Sequence, residues 1–108
     1  HLGDPLEDLA WALLDNWRLD PGGLFGGLGD REAIRVWQDA SGLEVDPGAL
    51  RWWSIFQHVK AQEIWQGAVR AYCDGVTREP VQALIACSAT VWQDRLLLAE
   101  LGWSDAAR

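Results

Sequence analysis

Asp46-Pro47-Gly48-Ala49-Leu50-Arg51-Trp52-Trp53-Ser54-Ile55-Phe56-Gln57-His58-Val59-Lys60 opens the stretch that decides the fold. It continues without a further proline through Ala61-Gln62-Glu63-Ile64-Trp65-Gln66-Gly67-Ala68-Val69-Arg70-Ala71-Tyr72-Cys73 to Asp74-Gly75. Asp46-Pro47 is a helix start, with proline at the first helical position, and Gly75 is a stop. The interval predicts one helix of roughly 28 residues, about 42 Å long at the standard rise. Its halves differ. From Ala61 on, the apolar side chains Ala61, Ile64, Trp65, Ala68, Ala71 and Tyr72 share a face. Earlier, Leu50 and Trp53 lie on one side while Trp52, Ile55, Phe56 and Val59 lie on the other. An apolar girdle of this kind predicts burial on both sides.

Three shorter helices surround it. Asp4 to about Trp17 begins with an N-cap aspartate, Pro5 and an Asp-x-x-Glu start ending on Glu7. Leu6, Leu9, Ala10, Leu13, Leu14 and Trp17 recur there at helical spacing. A loop follows over Arg18–Gly29, where Pro21 and five glycines predict mobility. The next helix runs from Asp30, read as its cap, to about Ala40 and stops near Gly42, with Ile34, Trp37 and Val36 facing inward. The last spans Pro80 to Leu101 with Gly102 as its stop. Its stripe is Val81, Leu84, Ile85, Thr90 or Val91, Leu97, Leu98 and Leu101. No strand-like alternation or internal repeat occurs. The expected fold is all-α: a single helical domain over residues 1–108 with four main helices. Its third and fourth helices form a long antiparallel hairpin joined at Gly75–Glu79.

Composition narrows the function classes. The 108 residues carry 16 acidic and 9 basic side chains, a net charge of −7. That balance argues against nucleic acid, whose phosphates need a basic stripe, and against an anionic membrane surface. No apolar run approaches the roughly 20 residues of a membrane span. No leader of the basic-then-apolar kind opens the chain. Cys73 and Cys87 have neither metal spacing nor a C-x-x-C arrangement and read as reduced thiols in helix packing. There are 8 Trp and no Met. A chain that begins with His1 is expected to have lost an N-terminal portion.

His1-Leu2-Gly3-Asp4-Pro5-Leu6-Glu7-Asp8-Leu9-Ala10-Trp11 resembles a signature of the aminoglycoside phosphotransferase-like family, small-molecule kinases with a protein-kinase-like fold. In that family G-D-P-x-x-D-L-A-W follows a metal-binding D-x-E segment by a few residues. The long helix over Leu50–Lys60 is similar to the substrate-side helix of the bacterial acyl-CoA-dehydrogenase-associated branch. The likeness covers nearly all of the chain, but only the opening segment is of motif grade. It implies the helical C-terminal part of a cytoplasmic ATP-dependent phosphotransferase, with ATP and Mg²⁺ bound by a catalytic part that lies upstream and a small-molecule hydroxyl as acceptor.

Kinase chemistry needs a loop over the phosphates, a phosphate-pairing lysine, a catalytic-loop aspartate and a Mg²⁺-holding aspartate. Lys60 is the one lysine and falls mid-helix, and no H-x-D precedes an asparagine at short spacing. We therefore assign this chain no catalytic residue, no metal ligand and no cofactor of its own, and expect it to be inactive alone. The rival readings are a free-standing helical interaction domain and a non-catalytic subunit.

Asp4 and Asp8, one turn apart on a face, read as a Mg²⁺-type carboxylate pair or, for Asp4, as a cap. The resemblance implies that Asp8 braces the catalytic-loop backbone, so in this chain alone it should be exposed or paired anew. It also makes Trp11, Trp53, Gln57 and Lys60 candidates for the acceptor pocket. The alternative for these is packing, with Lys60 paired to Glu63 or Asp8. His58 reads as a hydrogen-bonded core residue. Trp52, Trp53 and Trp65 are core or, with the catalytic part absent, an aromatic surface that drives pairing into a two-fold homo-oligomer.

Overall fold

Asp4 starts the first helix by accepting the Leu6 N–H on Oδ1 at 2.9 Å, and Pro5 occupies the first helical position of α1 (Pro5–Leu13). The computed structural model describes residues 3–18 and 27–103. Leu6, Leu9 and Ala10 of α1, with Leu14 just beyond it, are buried. The helix ends earlier than its apolar spacing predicts. The Trp11 carbonyl accepts both the Leu14 N–H, at 3.3 Å, and the Trp17 indole N–H, at 2.8 Å. Leu14 turns to an extended conformation, and Asp15–Trp17 make a single 3-10 turn.

The glycine loop expected to be mobile falls largely on 19–26, outside the described residues. Helix α2 (Asp30–Ser41) is capped by Gly29 rather than by Asp30. Asp30 sits one place later, where a carboxylate favours the helix N-terminus, and takes the Arg18 guanidinium at 2.6 Å. Ile34 and Trp37 are half-buried, whereas Val36, expected inward, is exposed. After α2, Gln38 Oε1 accepts the Val45 N–H at 2.9 Å. Asp46 Oδ2 then accepts the Ala49 N–H at 2.6 Å and caps α3 (Pro47–Cys73).

The chain divides into two units, His1–Gln57 and His58–Arg108, with the division inside α3. Burial along α3 is uneven. Leu50, Trp53 and Trp65 are half-buried, and Gln57, His58 and Ala61 are buried. The expected girdle is found only in part: Ile55 is half-buried, but Trp52, Phe56 and Val59 are exposed, and in the second half Ile64 and Tyr72 are exposed as well. Trp52 and Phe56 shield one another instead, one turn apart, with ring centroids 5.6 Å apart and planes 9° from parallel.

In the second unit Gly75 ends α3 at φ 73°. That left-handed residue lets the Val76 N–H reach the Ala71 carbonyl at 2.9 Å and the Gly75 N–H reach the Tyr72 carbonyl at 3.1 Å. The helix expected over Pro80–Leu101 is realised as α4 (Pro80–Cys87) and α5 (Ala89–Glu100), which meet at Ser88. Ser88 Oγ donates to the Leu84 carbonyl at 2.7 Å. A hydroxyl bonded back onto the preceding turn bends a helix, and here the Ser88 backbone leaves helical geometry (φ −130°, ψ −54°). Of the expected stripe, Ile85, Thr90, Leu97 and Leu101 are half-buried, whereas Val81, Leu84, Val91 and Leu98 are exposed. Cys73 and Cys87 are exposed free thiols rather than packing residues. Among the described residues there is no strand, and no helix is long and apolar enough to cross a membrane.

The Gly75 turn gives a direct check. Gly75→Ala forces a Cβ into the left-handed region and should lower stability by about 1 kcal/mol in a denaturant titration. An unchanged midpoint would remove the role given to this turn.

Candidate functional site

The motif helix and the long helix meet through side chains spaced one turn apart on α3. Trp53 donates its indole N–H to Asp4 Oδ2 at 3.0 Å. Gln57 donates its amide N–H to the Glu7 carbonyl at 2.9 Å. Trp53 and Gln57 are four residues apart and share a face, and Asp4 and Glu7 flank the first turn of α1. The start of α1 is thereby held against the first half of α3. The Glu7 carbonyl is also in the α-helical ladder, and its second lone pair makes room for the amide.

Asp4 uses both carboxylate oxygens. Oδ1 caps the helix and Oδ2 holds the indole. Both donors favour the charged form, so the Leu6 N–H first and the Trp53 indole second hold the Asp4 carboxyl below the usual aspartate range. Both Asp4 oxygens thus accept an N–H, as expected of a cap, and Asp8 is exposed.

Gln57 is 0 % exposed. Because the Glu7 carbonyl can only accept, the amide orientation is set, and its Oε1 has no hydrogen-bond partner among the described residues. Trp53 packs edge-on against both Trp52 and Phe56, with centroids 4.9 and 5.5 Å apart. Trp52 and Phe56 are 59 % and 43 % exposed, so this aromatic group has an inner ring and two outer rings.

The four pocket candidates have different surroundings. Trp53 and Gln57 are brought together against α1. Trp11, half-buried, packs its ring 5.4 Å from that of Trp17. Lys60 is exposed and belongs to the second unit.

A second polar cluster lies wholly in that unit. His58 is 4 % exposed and Gln93 0 %. His58 Nδ1 lies 2.8 Å from Gln93 Nε2, and Gln93 Oε1 accepts the Trp65 indole N–H at 3.3 Å. One turn away, Gln62 donates to Asp94 at 2.8 Å. Ala61, between His58 and Trp65 in sequence, is buried. Sequence reading treated His58 as a hydrogen-bonded core residue but did not single out Gln93. A glutamine among exposed neighbours on α5 carries no signal of burial, and its partners are 28 and 35 residues away.

No family model, no curated protein and no solved structure matches this chain.

Two outcomes test the α1–α3 junction. Gln57→Glu buries a charge and loses the donor to the Glu7 carbonyl, at a cost of about 3 kcal/mol, whereas Gln57→Met, which also removes the unpaired oxygen, costs about 1 kcal/mol. Equal losses in chemical denaturation would contradict this. The lowered Asp4 pKa has a definite sign: its contribution is full above the unfolded-state value, about 4, and is lost as pH falls through the lower folded-state value. Asp4→Asn should therefore flatten the acid limb of a stability-versus-pH curve, and an identical limb in both proteins would exclude it.

Proposed function

We propose that this chain is the acceptor-side helical part of an aminoglycoside phosphotransferase-like kinase, which passes the γ-phosphoryl group of ATP to a hydroxyl of a small molecule. The single observation that carries the reading is the junction just described. The G-D-P-L-E-D-L-A-W segment is the part of the chain that resembles the family, and its cap carboxylate and first-turn carbonyl receive Trp53 and Gln57 from the helix that resembles the substrate side. Asp4 and Gln57 act in this reading as positioning residues. They set the start of α1 relative to the acceptor helix. Nucleotide and Mg²⁺ belong to the catalytic part of such a kinase. Asp8, exposed here, is the side chain available to brace that part. The outer rings of Trp52 and Phe56 are exposed in the first unit and are offered here to the catalytic part; Lys60, exposed in the second unit, is a separate candidate for the acceptor.

The same exposed rings favour a second reading, a helical module that works by binding a protein. In either case a second copy of the chain covers this aromatic surface when nothing else does. Light scattering should give twice the monomer mass at high concentration, and a monomer there would contradict the pairing.

The reading frame upstream of His1 separates the two functions. A D-x-E segment a few residues before His1, with H-x-D further back, is the result expected of the kinase. A start codon directly before His1 with neither segment would overturn it. In the longer protein, Lys60→Met should raise the acceptor KM and leave thermal stability unchanged. Loss of stability with an unchanged KM would return Lys60 to a packing role. The 108-residue chain on its own should turn over no ATP.

A further inference from the structure

Helix propensity gives no reason for a break at Ser88. Residues 81–101 contain neither glycine nor proline and are rich in alanine and leucine, which favour helix. Without proline or glycine, a sharp kink needs a π-bulge or a side chain or water that enters the hydrogen-bond ladder. At this junction the entering side chains are hydroxyls. The Leu84 carbonyl receives the Ser88 N–H at 3.1 Å and the Ser88 hydroxyl at 2.7 Å. The Ala86 carbonyl, whose partner in an unbroken helix is the Thr90 N–H, receives the Thr90 hydroxyl at 3.3 Å.

The ladder keeps its register across the break. The Ser88 N–H bonds to the Leu84 carbonyl, and the Trp92 N–H bonds to the Ser88 carbonyl at 3.0 Å. Both are the four-residue steps of an α-helix. The Ser88 N–H also reaches the Ile85 carbonyl at 3.4 Å, the three-residue step of a tighter turn. Ser88 itself, at φ −130° and ψ −54°, carries no left-handed strain. Rotation about its own dihedrals is enough to join α4 to α5.

Of the two helices, α4 is the lightly held one. None of its residues is buried, and its Val81 and Leu84 are exposed. Helix α5 is tied to α3, where Gln93 accepts the Trp65 indole N–H at 3.3 Å and Asp94 accepts the Gln62 amide at 2.8 Å. Segments with few buried contacts open at a lower cost than those anchored in a core.

We propose that Ser88 is a hinge between two arrangements of this segment, the broken one described above and a continuous helix over 80–101. The Ser88 hydroxyl is the latch that holds the broken arrangement, and the Thr90 hydroxyl supports it. Joining the helices swings α4 about its C-terminal end while α5 stays on α3. Residues 74–79, which connect α3 to α4, span about 20 Å when extended, so the connection can follow. The hinge gives the second unit a movable arm without charged side chains, whichever function the chain serves. One hydroxyl–carbonyl bond is a weak tie, and removing it should shift the balance about fivefold toward the continuous helix.

The test is NMR of the full chain and three variants. Residual dipolar couplings of the α4 and α5 amides give the angle between the helices, and the Cα shift of residue 88 gives its backbone state. The unaltered protein should show two helix directions and a non-helical residue 88. Ser88→Ala, and further the pair Ser88→Ala with Thr90→Val, should bring the directions together and move residue 88 toward helical shifts. Ser88→Thr keeps a hydroxyl and should retain the break. An unchanged angle and shift in the paired variant would mean that packing holds the break, and would overturn the proposal. So would a single helix direction in the unaltered protein, or straightening in Ser88→Thr equal to that in Ser88→Ala. Ser88 is exposed and Thr90 half-buried, and circular dichroism establishes that each variant is folded. If the paired variant is not, Ser88→Ala against Ser88→Thr decides the matter.

Discussion

Gln57 and His58 are consecutive on α3 and both are buried, and that pair is the constraint on which the rest of the structure depends. Adjacent helical residues project about 100° apart, so they cannot share a partner. Each finds its own. Gln57 donates to the Glu7 carbonyl in the first unit, and His58 meets Gln93 in the second. The buried apolar side chains among the described residues are Leu6, Leu9, Ala10, Leu14 and Ala61. With so thin an apolar core, the polar contacts carry an unusual share of the positioning. A buried amide that loses its partner costs more than the bond itself gains, which makes these contacts specific even where their net contribution is small.

The tryptophans divide along the same line. Trp53, Trp65 and Trp17 each use the indole N–H as a fixed donor, to Asp4, Gln93 and the Trp11 carbonyl. In each case the ring contributes apolar area and the N–H sets the orientation of a polar neighbour. Trp52, Trp92 and Trp103 are exposed. Trp17 is exposed as well, so one residue type serves both as an orienting donor and as uncovered aromatic surface.

Much of the helix pattern was legible in the sequence because it depends on local chemistry. Asp46-Pro47 and Gly75 bound α3 to within a residue, and Asp4-Pro5 starts α1. The misplaced boundaries have tertiary or side-chain causes. The end of α1 depends on an indole reaching back six residues to the Trp11 carbonyl, and the break at Ser88 on a hydroxyl competing for the Leu84 carbonyl. Burial was harder to read than helicity. The girdle of α3 carries apolar side chains on both sides; His58 was read as a core residue, but periodicity did not say that Gln57 would go inside while Phe56 and Val59 stayed out. The Asp4–Trp53 and Glu7–Gln57 contacts join residues about 50 apart, a pairing that no local pattern encodes. Gln93 is the clearest case. Its partners His58 and Trp65 lie on α3, 35 and 28 residues earlier in the chain.

The function proposed rests on the opening segment, and the structure gives that segment a physical role: it is the place where the long helix is anchored. Whether the polar contacts hold α3 as described is accessible to one measurement, hydrogen exchange of the side-chain amide protons of Gln57 and Gln93 and of the Trp53 and Trp65 indole protons, followed by NMR in the full chain. The account predicts that the Gln57, Gln93 and Trp65 protons exchange far more slowly than those of an exposed glutamine such as Gln66, with Trp53 intermediate. Exchange of the Gln57 and Gln93 amides at the exposed rate would contradict it.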